Sequence, residues 1–327
     1  MADRLRGYTR RRFLGGVLVG GTLLATGISC SDDDGDEASP TSGATTGSSP
    51  QPSATPKPEK MTFMAGFRPQ ANLPFVAAYV AEEKGYFAEE ALEVEIRHSG
   101  GGDEHIQLLL GGAVDVTTHL ASGVLQQRTT APVLPIQSFV LWGQRSPSGF
   151  VTLKESGIDT VKKFEGKRFG FKQRVTAEYL AMIESEGVDR AKVQEVSVGF
   201  DPTVITSGQV DILAVFLNNE PNVLRTTFGK EVNVFDPADY GVDALGLTYV
   251  ATEESIGERA ELLERFTRAT LKGARYAIEN EDEAIGFVLE RMSAGENQRA
   301  HQLFLFNEDV RQAESSVTAG KGIGWMT

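Results

Sequence analysis

Cysteine is nearly absent from this sequence, since Cys30 is the only one among 327 residues. A lone cysteine excludes an intramolecular disulfide and a zinc site built on cysteines. Histidine is also scarce, and none of the four is spaced from another as metal ligands are. We therefore predict no metal site. The histidines are His98, His105, His119 and His301.

Positive charge is scarce beyond the N-terminus. The formal net charge is -13, and residues 1–29 hold five arginines against one aspartate, which leaves −17 on the remainder. Proteins that bind nucleic acids need clustered Lys and Arg to displace counterions from phosphates. The charge balance therefore excludes a nucleic-acid partner.

Recognisable catalytic motifs are missing as well. The sequence has no Gly-x-Ser-x-Gly nucleophile elbow and no phosphate loop of the Gly-Lys-Ser/Thr kind. It therefore predicts a protein that is not an enzyme and that carries no cofactor.

The N-terminus has the composition of an export signal. Arg10–Arg12 precede Phe13 and an uncharged apolar run that ends at Ile28. Such a run is shorter than the ~20 residues that a helix needs to cross a bilayer core. A basic region followed by a short apolar one predicts a signal peptide over residues 1–29, of the twin-arginine type that exports folded proteins. An uncleaved membrane anchor is the alternative.

Cys30 lies where this apolar run ends, directly after Gly27-Ile28-Ser29. The arrangement resembles the lipobox of bacterial lipoproteins, whose cysteine becomes the lipid-modified first residue, although Gly27 stands where Leu is usual. The lack of other cysteines favours lipidation, because a free thiol is a liability in an exported protein. A chance cysteine beside a conventional cleavage site is the alternative.

The composition of residues 30–60 predicts a disordered tether. Acidic residues come first, followed by Ser, Thr, Gly and five of the thirteen prolines. Such a stretch cannot bury enough apolar surface to offset its ordering entropy. Thirty flexible residues span on the order of 30 Å. With a lipid on Cys30, the tether would hold a domain at the extracytoplasmic face of the cell membrane.

Residues 61–327 alternate short β-rich runs with helical ones, which predicts an α/β fold with largely parallel sheets covered on both faces. A second βα set follows Pro147, and a strand over Leu245–Ala251 would return to the first set. We expect two lobes around a cleft. Lobe 1 would hold about 61–147 plus 250–327, and lobe 2 about 148–249.

Several segments, in order, resemble a known family between about residues 65 and 290. They are Tyr79–Phe87, Leu92–Glu95, Ser148–Ile158, Phe164–Arg168, Val198–Asp201 and Asp236–Gly241. Together they are similar to the periplasmic solute-binding proteins of ABC importers, of the thiamine-pyrimidine/alkanesulfonate-binding type. The resemblance implies the type II two-lobed fold, a small-molecule ligand, an ABC permease with its ATPase as partner, and a monomer.

Candidate ligand-binding side chains follow the predicted strands, because ligands of open α/β sheets bind outside the strands' carboxyl ends. Phe67 and Phe75 could stack on a flat ring beside the amide of Asn72. Core packing of Phe75 and helix capping by Asn72 are the alternatives. His119 and Trp142 end strands, where they would either line the cleft or pack.

The second lobe contributes a polar group at the end of a strand. Asn218, Asn219 and Glu220 follow an apolar run and would suit a ring with several donors and acceptors. Helix capping ahead of Pro221 is the alternative for the two asparagines. Tyr240 either reaches the cleft or packs beside it.

The ligand prediction rests on a departure from the family. Pyrimidine binders of this type tend to carry an Asn-His-x-Gly-like run, whereas Leu73-Pro74-Phe75 follow Asn72 here. Apolar bulk with amides suits a larger flat heterocycle, so the resemblance favours riboflavin over a thiamine pyrimidine precursor of the hydroxymethylpyrimidine type. An alkanesulfonate ranks third, because no arginine pair is evident to hold the anion.

The alternative to a solute-binding protein is an enzyme of the same fold family. The eukaryotic thiamine-pyrimidine synthase is associated with a cysteine-rich iron motif and a pyridoxal phosphate lysine. This chain has no cysteine after Cys30, and its export leader also argues against such an enzyme.

Overall fold

Residues 57–326, the part of the chain that the computed structural model describes, form two five-stranded sheets. The predicted signal peptide, Cys30 and the tether up to residue 56 lie outside these residues, so those predictions stay predictions. Within the described part, no helix combines the length and the apolarity needed to span a bilayer.

The first sheet has the strand order β2-β1-β3-β10-β4. Its strands are β1 (Glu59–Ala65), β2 (Leu92–His98), β3 (Val116–Leu120), β4 (Ile136–Leu141) and β10 (Leu247–Thr252). The strands β1, β2 and β3 pair in parallel, while β10 runs antiparallel to both β3 and β4. The returning strand therefore lies inside the first sheet.

The second sheet repeats this plan with the order β7-β6-β8-β5-β9. Its strands are β5 (Ser148–Leu153), β6 (Arg168–Lys172), β7 (Gln194–Val198), β8 (Ile212–Phe216) and β9 (Val232–Phe235). Here β5 is the antiparallel member, between β8 and β9. Each lobe is thus a mixed sheet with one reversed strand, and the α/β fold prediction is confirmed.

Helices cover both sheets. They are α1 (Leu73–Glu83), α2 (Tyr86–Glu89), α3 (Glu104–Leu110), α4 (Ala121–Thr129), α5 (Ala177–Ser185), α6 (Thr203–Thr206), α7 (Glu220–Thr226), α8 (Glu253–Glu258), α9 (Ala260–Glu279), α10 (Glu281–Met292), α11 (Arg299–Ala313) and α12 (Ser316–Lys321). Every residue from Leu73 to Ala81 is buried, because α1 is apolar on all sides and packs against other helices as well as the sheet.

Two predictions about local structure need correction. The strand β1 begins at Glu59, inside the segment predicted as tether, since its backbone pairs with β2 from Leu92 onward. The strand β5 was not predicted, and all but its last residue are buried. A strand covered on both faces shows no alternation of apolar and polar residues, so its period is hidden.

The chain crosses between the lobes twice, and the two crossovers touch each other. The amide of Ser146 donates to the carbonyl of Ala244 at 2.8 Å, and the amide of Gly246 donates to the carbonyl of Gly143, also at 2.8 Å. A Cβ added at Gly143 would lie 2.9 Å from the Gly246 Cα atom. The close approach of the two backbones therefore requires glycine at both positions.

Candidate ligand-binding site

A cavity of about 200 Å³ lies between the lobes, and phenylalanine is the commonest residue type in its wall. Seven phenylalanines line it: Phe67, Phe75, Phe150, Phe169, Phe171, Phe200 and Phe216. The rings of Phe67 and Phe200 come from opposite lobes and have centroids 5.0 Å apart. This wall suits a flat apolar face.

Strand ends deliver several of the polar groups in this wall. His119 lies near the end of β3, and Asn219 and Glu220 follow β8. Gln173 and Arg174 follow β6 in the same way. The cavity is therefore at the carboxyl ends of parallel strands, where ligands of α/β sheets bind.

Both cationic side chains of the cavity wall are paired with carboxylates. Lys172 forms an ion pair with Glu220 within the second lobe, and Arg174 forms one with Asp103 of the first lobe. Glu220 also accepts a hydrogen bond of 2.8 Å from the amide of Phe216. The positive charges that could attract an anion are thus already neutralised.

Two histidines lie together in the first-lobe wall, with ring centroids 5.5 Å apart. Burial and, to a smaller extent, the neighbouring His105 lower the pKa of His119 to about 4. Burial also lowers the pKa of His105. Both rings are therefore neutral at pH 7. Within residues 57–326 no three His, Asp or Glu side chains converge as metal ligands would.

Asp309 on α11 connects the two lobes beneath the cavity. Its Oδ2 atom accepts hydrogen bonds from the amide of Leu73, at 2.9 Å, and from Asn72 Nδ2, at 3.0 Å. Its Oδ1 atom accepts from the side chain of Asn218, which belongs to the second lobe. Burial raises the pKa of Asp309 to about 6, although these hydrogen bonds oppose the rise.

His301, two turns earlier on α11, makes a second cross-lobe contact. Its Nε2 atom lies 3.0 Å from Asn219 Oδ1, and its Nδ1 atom lies 2.9 Å from Asn222 Nδ2. In a further cross-lobe contact, the Ser122 hydroxyl donates to Glu178 at 2.7 Å. These contacts show that the lobes are closed on one another.

Six of the nine predicted ligand-binding residues line the cavity. They are Phe67, Asn72, Phe75, His119, Asn219 and Glu220. Whether they bind a ligand stays a prediction. Asn72 does not cap α1 with its side chain, which bonds Asp309 instead.

The other three predicted residues do not line this cavity. Trp142 is only 1% exposed and packs edge-on against Tyr249, with ring centroids 5.0 Å apart. Tyr240 packs against the apolar core of the second lobe. Asn218 is buried and its amide is bound to Asp309. In each case the side chain turns towards a packed interior, which the position of a strand's end does not reveal.

Several wall residues were missed at the level of sequence. They include His105, Ser122, Gln173, Arg174, Glu178 and Phe200. Gln173 and Phe200 could have been found, because both follow predicted strands. Ser122 and Glu178 lie on helices, and only the closure of the lobes brings them into the wall.

Comparison with known proteins identifies the family. The profile described as NMT1/THI5 like matches residues 72–284, which include the first lobe's α1 and the whole second sheet. The chain belongs to the NMT1/THI5-like family.

Two curated relatives are named for ligands. The formylaminopyrimidine-binding protein of Halalkalibacterium halodurans is 33% identical over 238 residues, covering 71% of this chain and 70% of that protein. The riboflavin-binding protein RibY of Chloroflexus aurantiacus is 27% identical over 316 residues, covering 95% of this chain and 86% of its own length. A 4-amino-5-hydroxymethyl-2-methylpyrimidine phosphate synthase of Legionella pneumophila is 24% identical over 209 residues, covering 63% and 66%.

A solved structure shows the same fold at low identity. The periplasmic aliphatic sulphonate binding protein SsuA of Escherichia coli superposes with a TM-score of 0.59 and 12% identity, covering 81% of this chain and 90% of that one. This chain and this neighbour thus share the two-lobed periplasmic-binding-protein fold, and the predicted family resemblance is confirmed.

Proposed function

We propose that this chain is the solute-binding component of an ABC importer and that its lobes close on a flat nitrogen heterocycle. The observation that carries the proposal is the cavity between the lobes, with seven phenylalanines and a few polar groups at strand ends. Such a wall stacks on a flat ring while the polar groups fix its orientation. Relatives named as binding proteins support it.

The size of the closed cavity favours a single ring. About 200 Å³ is below the roughly 300–1,000 Å³ of sites for drug-sized ligands. A thiamine pyrimidine precursor has one ring with short substituents. Because the relative that is 33% identical is named for a formylaminopyrimidine, an aminopyrimidine is our first candidate.

Riboflavin, which the sequence favours, is the second candidate. The relative that matches 95% of this chain is named for it, and the phenylalanine wall is extensive enough to cover several fused rings. It would require the lobes to close less far. An alkanesulfonate ranks third, since Lys172 and Arg174 already have carboxylate partners.

Binding rather than catalysis also fits the wall's chemistry. Within the described residues Lys172 is the lysine that lines the cavity, and its amine is committed to Glu220. The chain has no cysteine after Cys30. The proposed location is the extracytoplasmic face of the cell membrane, as a lipid-anchored monomer that delivers its ligand to a permease with an ATPase.

The test is calorimetric titration of the full-length protein with 4-amino-5-hydroxymethyl-2-methylpyrimidine and with riboflavin. We expect micromolar or tighter binding of the first, which corresponds to about −8 kcal/mol or better. Tight riboflavin binding alone would reverse the order of the candidates. Mass spectrometry of the molecule that copurifies identifies a ligand directly, and an absorbance band of a lysine Schiff base would favour the enzyme instead.

A further inference from the structure

Two buried polar atoms of the cavity wall have no hydrogen-bond partner. They are His105 Nε2 and Glu178 Oε2, on side chains that are 3% and 2% exposed. Buried polar groups are almost always paired in native proteins, so an unpaired one in a cavity wall points to a missing partner. His105 belongs to the first lobe and Glu178 to the second, and both side chains line the cavity.

The His105 atom is a hydrogen-bond acceptor. Its ring partner Nδ1 lies 2.9 Å from the carbonyl of Gly102 and therefore carries the proton. Burial lowers the pKa of His105, so the ring is neutral and Nε2 holds a lone pair. Gly66 also lines the cavity here, and a Cβ at that position would lie 3.4 Å from Nε2. Nε2 thus lies beside a residue of the cavity wall that has no side chain.

The Glu178 atom is an acceptor too, on a carboxylate without a counter-ion. Its Oε1 accepts the 2.7 Å bond from Ser122, across the cleft. No ion pair within residues 57–326 involves Glu178, whereas Lys172 and Arg174 are bound to other carboxylates. A buried carboxylate is costly unless donors compensate it. A ligand with N–H groups would supply them.

We propose that Glu178 and His105 are specificity-determining acceptors that select amino-substituted heterocycles over their oxo analogues. This inference rests on the proposed function and names the chemistry of its ligand. An exocyclic amino group offers the N–H donors that such acceptors lack, whereas a carbonyl oxygen in its place would present only lone pairs. Glu178 also couples recognition to closure, because Ser122 reaches it only when the lobes meet.

The experiment compares two probes that differ at one group, 4-amino-5-hydroxymethyl-2-methylpyrimidine and its 4-oxo analogue, by calorimetry on the full-length protein. The wild-type protein should bind the amino probe at least tenfold more tightly, which is about 1.4 kcal/mol. Glu178→Gln keeps the shape and the bond from Ser122 but can present an amide N–H to the ligand. It should lose at least tenfold for the amino probe and little or nothing for the oxo probe.

Glu184→Gln is the matched control, since Glu184 is exposed on the same helix and does not line the cavity. It should leave both affinities unchanged. Equal wild-type affinity for the two probes overturns the inference, and so does an unchanged preference in Glu178→Gln. The wild-type comparison needs no variant, so a folding defect cannot hide the answer.

Binding of neither probe also overturns the inference. The proposed function is judged separately, by the small molecule that copurifies with the wild-type protein. If that molecule is a heterocycle without N–H donors, the proposed function survives while the acceptor pair fails. If no small molecule copurifies and no heterocycle binds, both fail.

Discussion

At the scale of single residues, the carboxylate of Asp309 accepts hydrogen bonds from both lobes. It holds the N-terminus of α1 through Leu73 and reaches Asn218 in the opposite lobe. An ionised group in this position is fully desolvated, which is why its pKa rises to about 6 despite three donors. The side chain is therefore sensitive to pH within the range of natural environments.

The pKa of Asp309 makes the stability of the fold depend on pH. Because the folded pKa is higher than the unfolded one, the folded state binds more protons, and its extra stability is present below about pH 4 and is lost as the pH rises through about 6. The loss amounts to about 3 kcal/mol at most. Asp309→Asn should remove this dependence, as measured by urea unfolding at pH 4 and pH 7.

Asp282→Asn serves as the control, because Asp282 is exposed on α10. It should follow the wild-type pH dependence. An unchanged pH dependence in Asp309→Asn would show that the carboxyl group does not titrate as its burial implies.

Residues in the cavity wall differ in how far the sequence reveals them. Phe67 and Glu220 were predictable, because each follows a strand that its own apolar pattern marks. Trp142 was not, since the end of a strand does not tell which side of the sheet its ring takes. Asp309 lies 91 residues from Asn218, so only tertiary structure brings them together.

At the scale of elements, α11 is the part of lobe 1 that receives the second lobe. Its His301 and Asp309 contact the segment Asn218–Asn222, which leads from β8 into α7. Since that segment also supplies Asn219 and Glu220 to the cavity wall, α11 holds the wall in its closed position. This contact lies outside the aromatic surface itself.

Asn222→Ala tests the role of α11 without touching the cavity wall. It removes the 2.9 Å contact with His301, and one hydrogen bond of about 0.5–1.5 kcal/mol corresponds to roughly a two- to twelvefold change. We expect ligand dissociation to accelerate by that factor, measured by stopped flow, and the radius of gyration without ligand to rise in small-angle scattering.

Asn297→Ala, the same change at an exposed position, should alter neither quantity. Unchanged dissociation and unchanged scattering in Asn222→Ala would mean that α11 does not control closure.

Helices and strands were predictable where the spacing of apolar residues in the sequence marks them. A returning strand was predicted over Leu245–Ala251, and β10 forms over Leu247–Thr252. Its apolar pattern was visible because β10 is an inner strand of the first sheet. The strand β5 was missed, since burial on both faces removes the alternation that marks a strand. The order of strands depends on pairing between distant segments, which no local pattern carries.

At the scale of the whole molecule, the charge balance and the N-terminus bear on where the protein works. Beyond residue 29 the chain carries a net charge of −17, which leaves electrostatic attraction to an anionic membrane surface unfavourable. A protein with that charge would need another means of staying near the proposed permease. The proposed lipid on Cys30 would provide it.

Cys30→Ala tests the anchor. The variant should move from the membrane fraction to the soluble fraction, or accumulate unprocessed, because no lipid can attach. Immunoblotting of fractions and the mass of the mature N-terminus are the measurements. Ser29→Ala, beside the same cleavage point, is the control and should stay membrane-bound. Unchanged fractionation and mass in Cys30→Ala would refute lipid attachment.

The contact between the two crossovers constrains how the lobes can move. Because Gly143 and Gly246 are in close contact and the two crossover segments exchange hydrogen bonds, we expect the crossovers to bend together and not as two independent linkers. We therefore expect the lobes to move about a single axis when they open and close. Lobes that move about one axis lose little orientational entropy when they close. We therefore expect that even a small ring with few contacts can supply the free energy that keeps the lobes closed.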